Sequence, residues 1–148
     1  MSDKKILVVD YEASSLEGLT RILKNLKVQV IQASDGSQAY DLFKEEKPDL
    51  VITEAILPKL HGFDLTRKIV QESGGNVPVI ILTGLYKGPQ YRHEALTSLG
   101  AAEYLEKPVD PETLLDAVNR LLTAEDEIED TLPDPDSVIS LLSGEKKE

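Results

Sequence analysis

The chain has no cysteine. That removes a disulfide framework, a thiolate metal site and a cysteine nucleophile from consideration. Long apolar runs are also missing: the longest hold four or five residues, far short of a bilayer span. The opening Met1-Ser2-Asp3-Lys4-Lys5 has no apolar signal-peptide region, so the expected compartment is the cytoplasm. Basic residues are in deficit. Sixteen Lys and Arg face 27 Asp and Glu, a formal net charge of −11, and no basic stripe suits a nucleic-acid backbone. No glycine-rich loop follows an apolar run, and neither Ser14 nor Ser15 lies in a Gly-x-Ser-x-Gly context, so dinucleotide and hydrolase sites lack support. His61 and His93 are isolated and read as surface residues.

What is present is enough for one core. The 148 residues are 41% hydrophobic and 29% charged. Strand-like and helix-like segments alternate five times. Ile6-Leu7-Val8-Val9, Leu50-Val51-Ile52 and Val79-Ile80-Ile81-Leu82 are short apolar runs of the kind buried on both faces of a parallel sheet. Val28–Gln32 and Ala101–Leu105 are more mixed and read as edge strands. Helical spacing joins Leu16, Leu19, Ile22, Leu23 and Leu26, and shorter sets include Ala39, Leu42 and Phe43; Leu65, Ile69 and Val70; and Ala95, Leu96 and Leu99. The last helix is announced by Asp110 as cap and Pro111 at its first position, with Leu114, Leu115, Val118, Leu121 and Leu122 as its stripe. This alternation predicts an α/β fold, a doubly wound five-stranded parallel sheet of order 2-1-3-4-5 in a flavodoxin-like three-layer sandwich.

The charge is uneven: residues 1–124 carry a net of −4 and residues 125–148 a net of −7. Composition therefore predicts a domain over 4–123 and an acidic, Pro-containing tail or linker over 124–148, extended through Glu125–Asp130. Val138, Ile139, Leu141 and Leu142 suggest a short helix near 136–143, read as part of a flexible tail or as a docking segment.

In such a sheet, ligands bind beyond the carboxyl ends of the strands. Asp10, Tyr11 and Glu12 follow the first strand, Glu54 the third, Thr83 and Gly84 the fourth, and Lys107 with Pro108 the fifth. At these residues the chain resembles the receiver domain of two-component response regulators. The resemblance rests on Lys5-Ile6-Leu7-Val8-Val9-Asp10, Pro48-Asp49-Leu50-Val51-Ile52, Leu57-Pro58 with Gly62-Phe63, Ile81-Leu82-Thr83-Gly84, Gly100-Ala101 and Tyr104-Leu105-Glu106-Lys107-Pro108.

The resemblance implies a phosphoryl-accepting aspartate after the third strand, fed by a histidine kinase, with Mg²⁺ held by that aspartate and two acids after the first strand. It implies a hydroxyl and a lysine on the phosphoryl oxygens, and an inward-turning aromatic residue that reshapes the face of fourth helix, fifth strand and fifth helix. Asp10, Thr83, Gly84, Lys107 and the switch residue Tyr104 match this pattern. Glu54 replaces the phosphoacceptor and Tyr11 replaces the second metal-binding acid, so the resemblance is to an atypical, or pseudo-, receiver. Asp10 and Glu54 remain as weak Mg²⁺ candidates; otherwise no cofactor is expected. Thr83 to Lys107 is also slightly longer than the family spacing, with the extra residues placed in Leu85–Gln90.

Two readings of Glu54 stand. It is a vestige in a charge cluster, or it imitates the phosphorylated aspartate by accepting a hydrogen bond from Thr83. The expected function is a signalling module that works by protein–protein contact and is not an enzyme. The alternatives are phosphorylation of Glu54 itself, or a receiver fragment of a longer regulator.

Overall fold

The computed structural model describes the backbone of residues 4–130 and the side chains of residues 4–123. Its elements run β1 (Lys4–Val9), α1 (Ala13–Leu23), β2 (Val28–Ala33), α2 (Gly36–Glu46), β3 (Leu50–Thr53), α3 (Gly62–Ser73), β4 (Val79–Thr83), α4 (Pro89–Thr97), β5 (Glu103–Glu106) and α5 (Pro111–Asp130). The five strands pair in parallel in the order β2-β1-β3-β4-β5, as the apolar runs predict. β3 and β4 are buried at every residue, whereas β2 and β5 are only partly covered at the two edges.

Strand side chains alternate between faces, and this divides the core. Ile6, Val8, Leu50, Ile52, Ile80 and Leu82 pack with Leu16, Leu19 and Leu23 of α1 and Leu114 and Val118 of α5. Leu7, Val9, Val51 and Ile81 turn the other way, onto Ala39 and Phe43 of α2, Leu65 and Ile69 of α3 and Ala95 of α4. Each fully buried aliphatic side chain contributes about 1.5–3 kcal/mol, so the central strands anchor everything attached to their ends. Because β1 lies between β2 and β3, the strand order reverses there, and Asp10 and Glu54 emerge at that reversal.

Asp110 caps α5 as predicted, its Oδ2 accepting from Thr113 N at 3.1 Å. Two boundaries are corrected. The last strand begins at Glu103, because Gly100, at φ +82°, and Ala101, whose N–H donates to the Ala95 carbonyl, still belong to the turn closing α4. The run Glu125–Asp130, expected as extended linker, instead continues α5 to Asp130. Ala124 and the glutamates are good helix formers, and no proline intervenes before Pro133. The break in composition thus falls inside a helix. The apolar group Val138–Leu142, with its suggested helix near 136–143, lies outside the described residues.

The β3–α3 loop is fixed by backbone contact. Gly62 N–H donates to the Ala55 carbonyl at 2.8 Å, and Gly36 N–H donates to the Pro58 carbonyl at 3.1 Å. A Cβ at Gly62 would sit 2.1 Å from the Glu54 carbonyl oxygen, and one at Gly36 only 1.8 Å from that of Leu60. Only glycine permits either approach.

Candidate functional site

The strand ladders continue one residue past β1, β3 and β5. Asp10 N–H donates to the Ala33 carbonyl, Glu54 N–H to that of Val9, and Lys107 N–H to that of Thr83, at 2.8–3.1 Å. The three charged side chains are thereby launched from rigid backbone into one crevice, as sequence position predicts. Asp10 is 1% exposed and Glu54 4%. Lys107 Nζ lies 2.7 Å from Asp10 Oδ2 and 3.1 Å from Glu54 Oε1, so one ammonium bridges both carboxylates. The remaining oxygens are also occupied. Asp10 Oδ1 accepts from Glu12 N at 3.0 Å, and Glu54 Oε2 from Ala55 N at 2.8 Å and Ile56 N at 3.4 Å.

Burial works to depress the Lys107 pKa, but the hydrogen bond and charge of Asp10, then those of Glu54, outweigh it and raise the ammonium above its ordinary value. Two buried carboxylates with one cation leave the cluster one negative charge in excess.

Thr83 is fully buried at the end of β4, but not in the role expected. Its Oγ1 accepts from Leu85 N at 3.2 Å and Tyr86 N at 3.4 Å, and no hydrogen bond joins it to Glu54. The predicted Glu54–Thr83 contact is thus corrected: Lys107 and the loop amides hold Glu54, and the β4–α4 loop engages Thr83. Gly84 lies beside Lys107, where an added Cβ would meet Lys107 Cβ at 3.6 Å.

Tyr104 is inward, 1% exposed, and its hydroxyl donates to the Tyr86 carbonyl at 2.5 Å. Burial, then the charges of Glu106 and Glu54, push its pKa up to about 12. Arg92 of α4 secures the same strand, its Nη1 donating to the Tyr104 carbonyl at 2.7 Å.

Tyr11 is 47% exposed and does not join the cluster. Among the described residues, no group of three or more His, Asp or Glu side chains is arranged to hold a metal ion. Mg²⁺ requires several hard oxygen ligands in near-octahedral array. Asp10 and Glu54 are the two carboxylates of the crevice, and the side chain beside Asp10, Tyr11, is a neutral phenol.

Sequence reasoning missed His61. It is half-buried rather than a surface residue: its Nδ1 accepts from Phe63 N at 3.1 Å, capping α3, and its ring faces Tyr86. Its place immediately before Gly62-Phe63 at a helix start was the available sign. His93 is exposed, as expected.

Comparison with known proteins now decides the family. The response regulator receiver domain matches residues 6–119. The chain belongs to this family. Protein PilH of Pseudomonas aeruginosa is 36% identical over 119 residues, covering 80% of this chain and 97% of PilH. The alkaline phosphatase synthesis transcriptional regulatory protein PhoP of Bacillus subtilis is 35% identical over 120 residues, 81% of this chain. The receiver spans only 49% of PhoP, so about half of that relative has no counterpart here. A response regulator receiver domain from Clostridium thermocellum superposes with a TM-score of 0.77 at 33% identity, covering 84% of this chain and 98% of that one. No described helix of the receiver is long and apolar enough to cross a membrane.

Proposed function

We propose that this receiver is a signalling interaction module of a two-component or phosphorelay-type pathway that works without the usual Mg²⁺-dependent phosphorylation. It acts as a binding partner and not as an enzyme. The observation that carries this reading is the Lys107 ammonium between Asp10 and Glu54. It bridges both carboxylates, while Tyr11 offers no anionic oxygen beside Asp10. The longer Glu54 side chain also carries its carboxylate about one carbon–carbon bond beyond an aspartate's, which disturbs in-line attack on a phosphoryl donor.

Output runs through the α4–β5–α5 face to a partner protein, with a histidine kinase as the upstream candidate. The inward Tyr104, tied to the β4–α4 loop and to Arg92, supports that face as the reporting surface. Direct nucleic-acid contact has no place in this reading, since the chain is strongly acidic.

The test is incubation with a small phosphoryl donor and Mg²⁺, followed by intact-mass measurement. The unmodified chain is expected to gain no phosphoryl group, and Glu54→Asp with Tyr11→Asp to gain one. A phosphoryl adduct on Glu54 of the unmodified chain would establish the rival reading, a receiver that accepts phosphate on glutamate.

A further inference from the structure

Helix α4 has little apolar surface to fix its position. Of its nine residues only Ala95 is buried, so core packing defines its place weakly compared with the other helices. Its placement therefore depends on specific ties. Arg92 supplies one, through the Tyr104 carbonyl and, at 3.8 Å, Glu103. Gly88 N–H supplies a second at the helix start, donating to Glu106 Oε2 at 2.8 Å.

The third tie converges on Tyr86, in the lengthened stretch that sequence spacing singled out. Its backbone N–H donates to Thr83 Oγ1, and its carbonyl accepts the Tyr104 hydroxyl. Its ring stacks on Tyr91 of α4, with centroids 5.0 Å apart and planes at 13°. It also lies 5.9 Å from His61 at 26° and 5.6 Å from Phe63. His61 is itself held by the bond that caps α3. One residue thus connects the buried hydroxyl, the switch aromatic, the start of α3 and the body of α4. Meanwhile Tyr104 is inward although Glu54 makes no bond to Thr83.

We infer that Tyr86 is a latch: its ring, stacked between the His61 cap of α3 and Tyr91 of α4, holds the β4–α4 loop where its carbonyl keeps Tyr104 inward. The α4–β5–α5 face then takes this form without any contact from position 54. The inference rests on reading that face as the output surface, and it is independent of whether Glu54 accepts phosphate. Stacked aromatic pairs of this kind each bias a two-state equilibrium about two- to tenfold. Tyr86 is a positioning residue in this scheme, acting through Tyr104.

The test uses the full chain labelled with fluorotyrosine and read by ¹⁹F NMR, with the Tyr104 resonance assigned by Tyr104→Phe. Tyr86→Leu is expected to move that resonance toward the position of a solvated tyrosine, and to speed amide exchange in α4 about tenfold. Tyr86→Phe keeps the ring and the backbone groups and is expected to leave both readouts unchanged. Tyr91→Leu removes the stack from its α4 end and is expected to move Tyr104 in the same direction by a smaller amount. The Tyr40 resonance, from a ring packed between α2 and α3, reports that the fold is intact. If Tyr86→Leu does not fold, Tyr91→Leu decides the question. A Tyr104 resonance left unmoved by Tyr86→Leu, or by Tyr91→Leu where Tyr86→Leu does not fold, overturns the latch. So does a Glu54→Gln variant that displaces Tyr104 as far as Tyr86→Leu does, since control would then lie at position 54.

Discussion

Lys107 Nζ stands 2.7 Å from Asp10 Oδ2, a contact between residues 97 positions apart that closes the crevice across the sheet. Lys107→Ala leaves Asp10 and Glu54 buried together with no cation. The loss of stability at neutral pH is expected to be on the order of 3 kcal/mol, most of it the cost of the uncompensated charges. Urea unfolding of wild type and variant at pH 7 measures this; a difference below about 1 kcal/mol would refute it.

Alkali acts on a second pair of groups. Lys107 and Tyr104 both have folded-state pKa values above their ordinary ones, Tyr104 at about 12. The stability each contributes is complete below its unfolded pKa, near 10, and is lost as pH rises through the folded value. Stability should therefore fall between about pH 10 and 12, by on the order of 2 kcal/mol for Tyr104 alone. Tyr104→Phe removes that component, so its unfolding curves should fall less steeply over the same window.

Metal binding should be weak, and Tyr11 is the reason. Tyr11→Asp brings an anionic oxygen next to Asp10, and Mg²⁺ affinity is expected to rise about tenfold, or about 1.4 kcal/mol. Calorimetric titration checks both statements. Tight binding by the unmodified chain contradicts the first, and an unchanged constant in the variant contradicts the second.

Thr83 and Glu54 should behave as independent sites. Thr83→Ala strips the acceptor from Leu85 N and Tyr86 N, whereas Glu54→Gln weakens the bond to Lys107. In a double-mutant cycle read by urea unfolding, the coupling is expected to stay below about 0.5 kcal/mol. A larger coupling would restore the direct contact that the sequence suggested.

Two glycines of similar appearance in the sequence should respond in opposite ways to alanine. Gly18 lies within α1 with nothing within 4 Å of an added Cβ, so Gly18→Ala should stabilise by about 0.5–1 kcal/mol. Gly62→Ala meets backbone oxygen at 2.1 Å and should destabilise by about 1–3 kcal/mol or more. Thermal melts of the two variants distinguish them directly.

The sheet was legible because its evidence is compositional. Continuous apolar runs mark β1, β3 and β4, mixed ones mark the edges, and alternation with helical stripes fixes the class. Asp10, Glu54, Thr83 and Lys107 were legible because each directly follows or ends a strand, and topology does the rest. What stayed hidden depends on side-chain direction. Nothing in the spacing says that the Thr83 hydroxyl faces the loop amides, or that Tyr11 turns outward. His61 looked isolated because its ring partner besides Phe63, Tyr86, lies on a loop 25 residues away. The helical Glu125–Asp130 was obscured for another reason: a dense run of acids suggests an extended chain, but local helix propensity prevails over their repulsion in that stretch.

The clamped β3–α3 loop has a consequence for how the crevice tolerates change. Because Gly36 and Gly62 leave no room for the backbone to slide, a longer or shorter side chain at position 54 is not absorbed by the loop. The full difference in length is delivered at the tip, where Lys107 sits. A carboxylate one bond shorter at position 54 would therefore be met by movement of the partly exposed Lys107 side chain and not by movement of the loop.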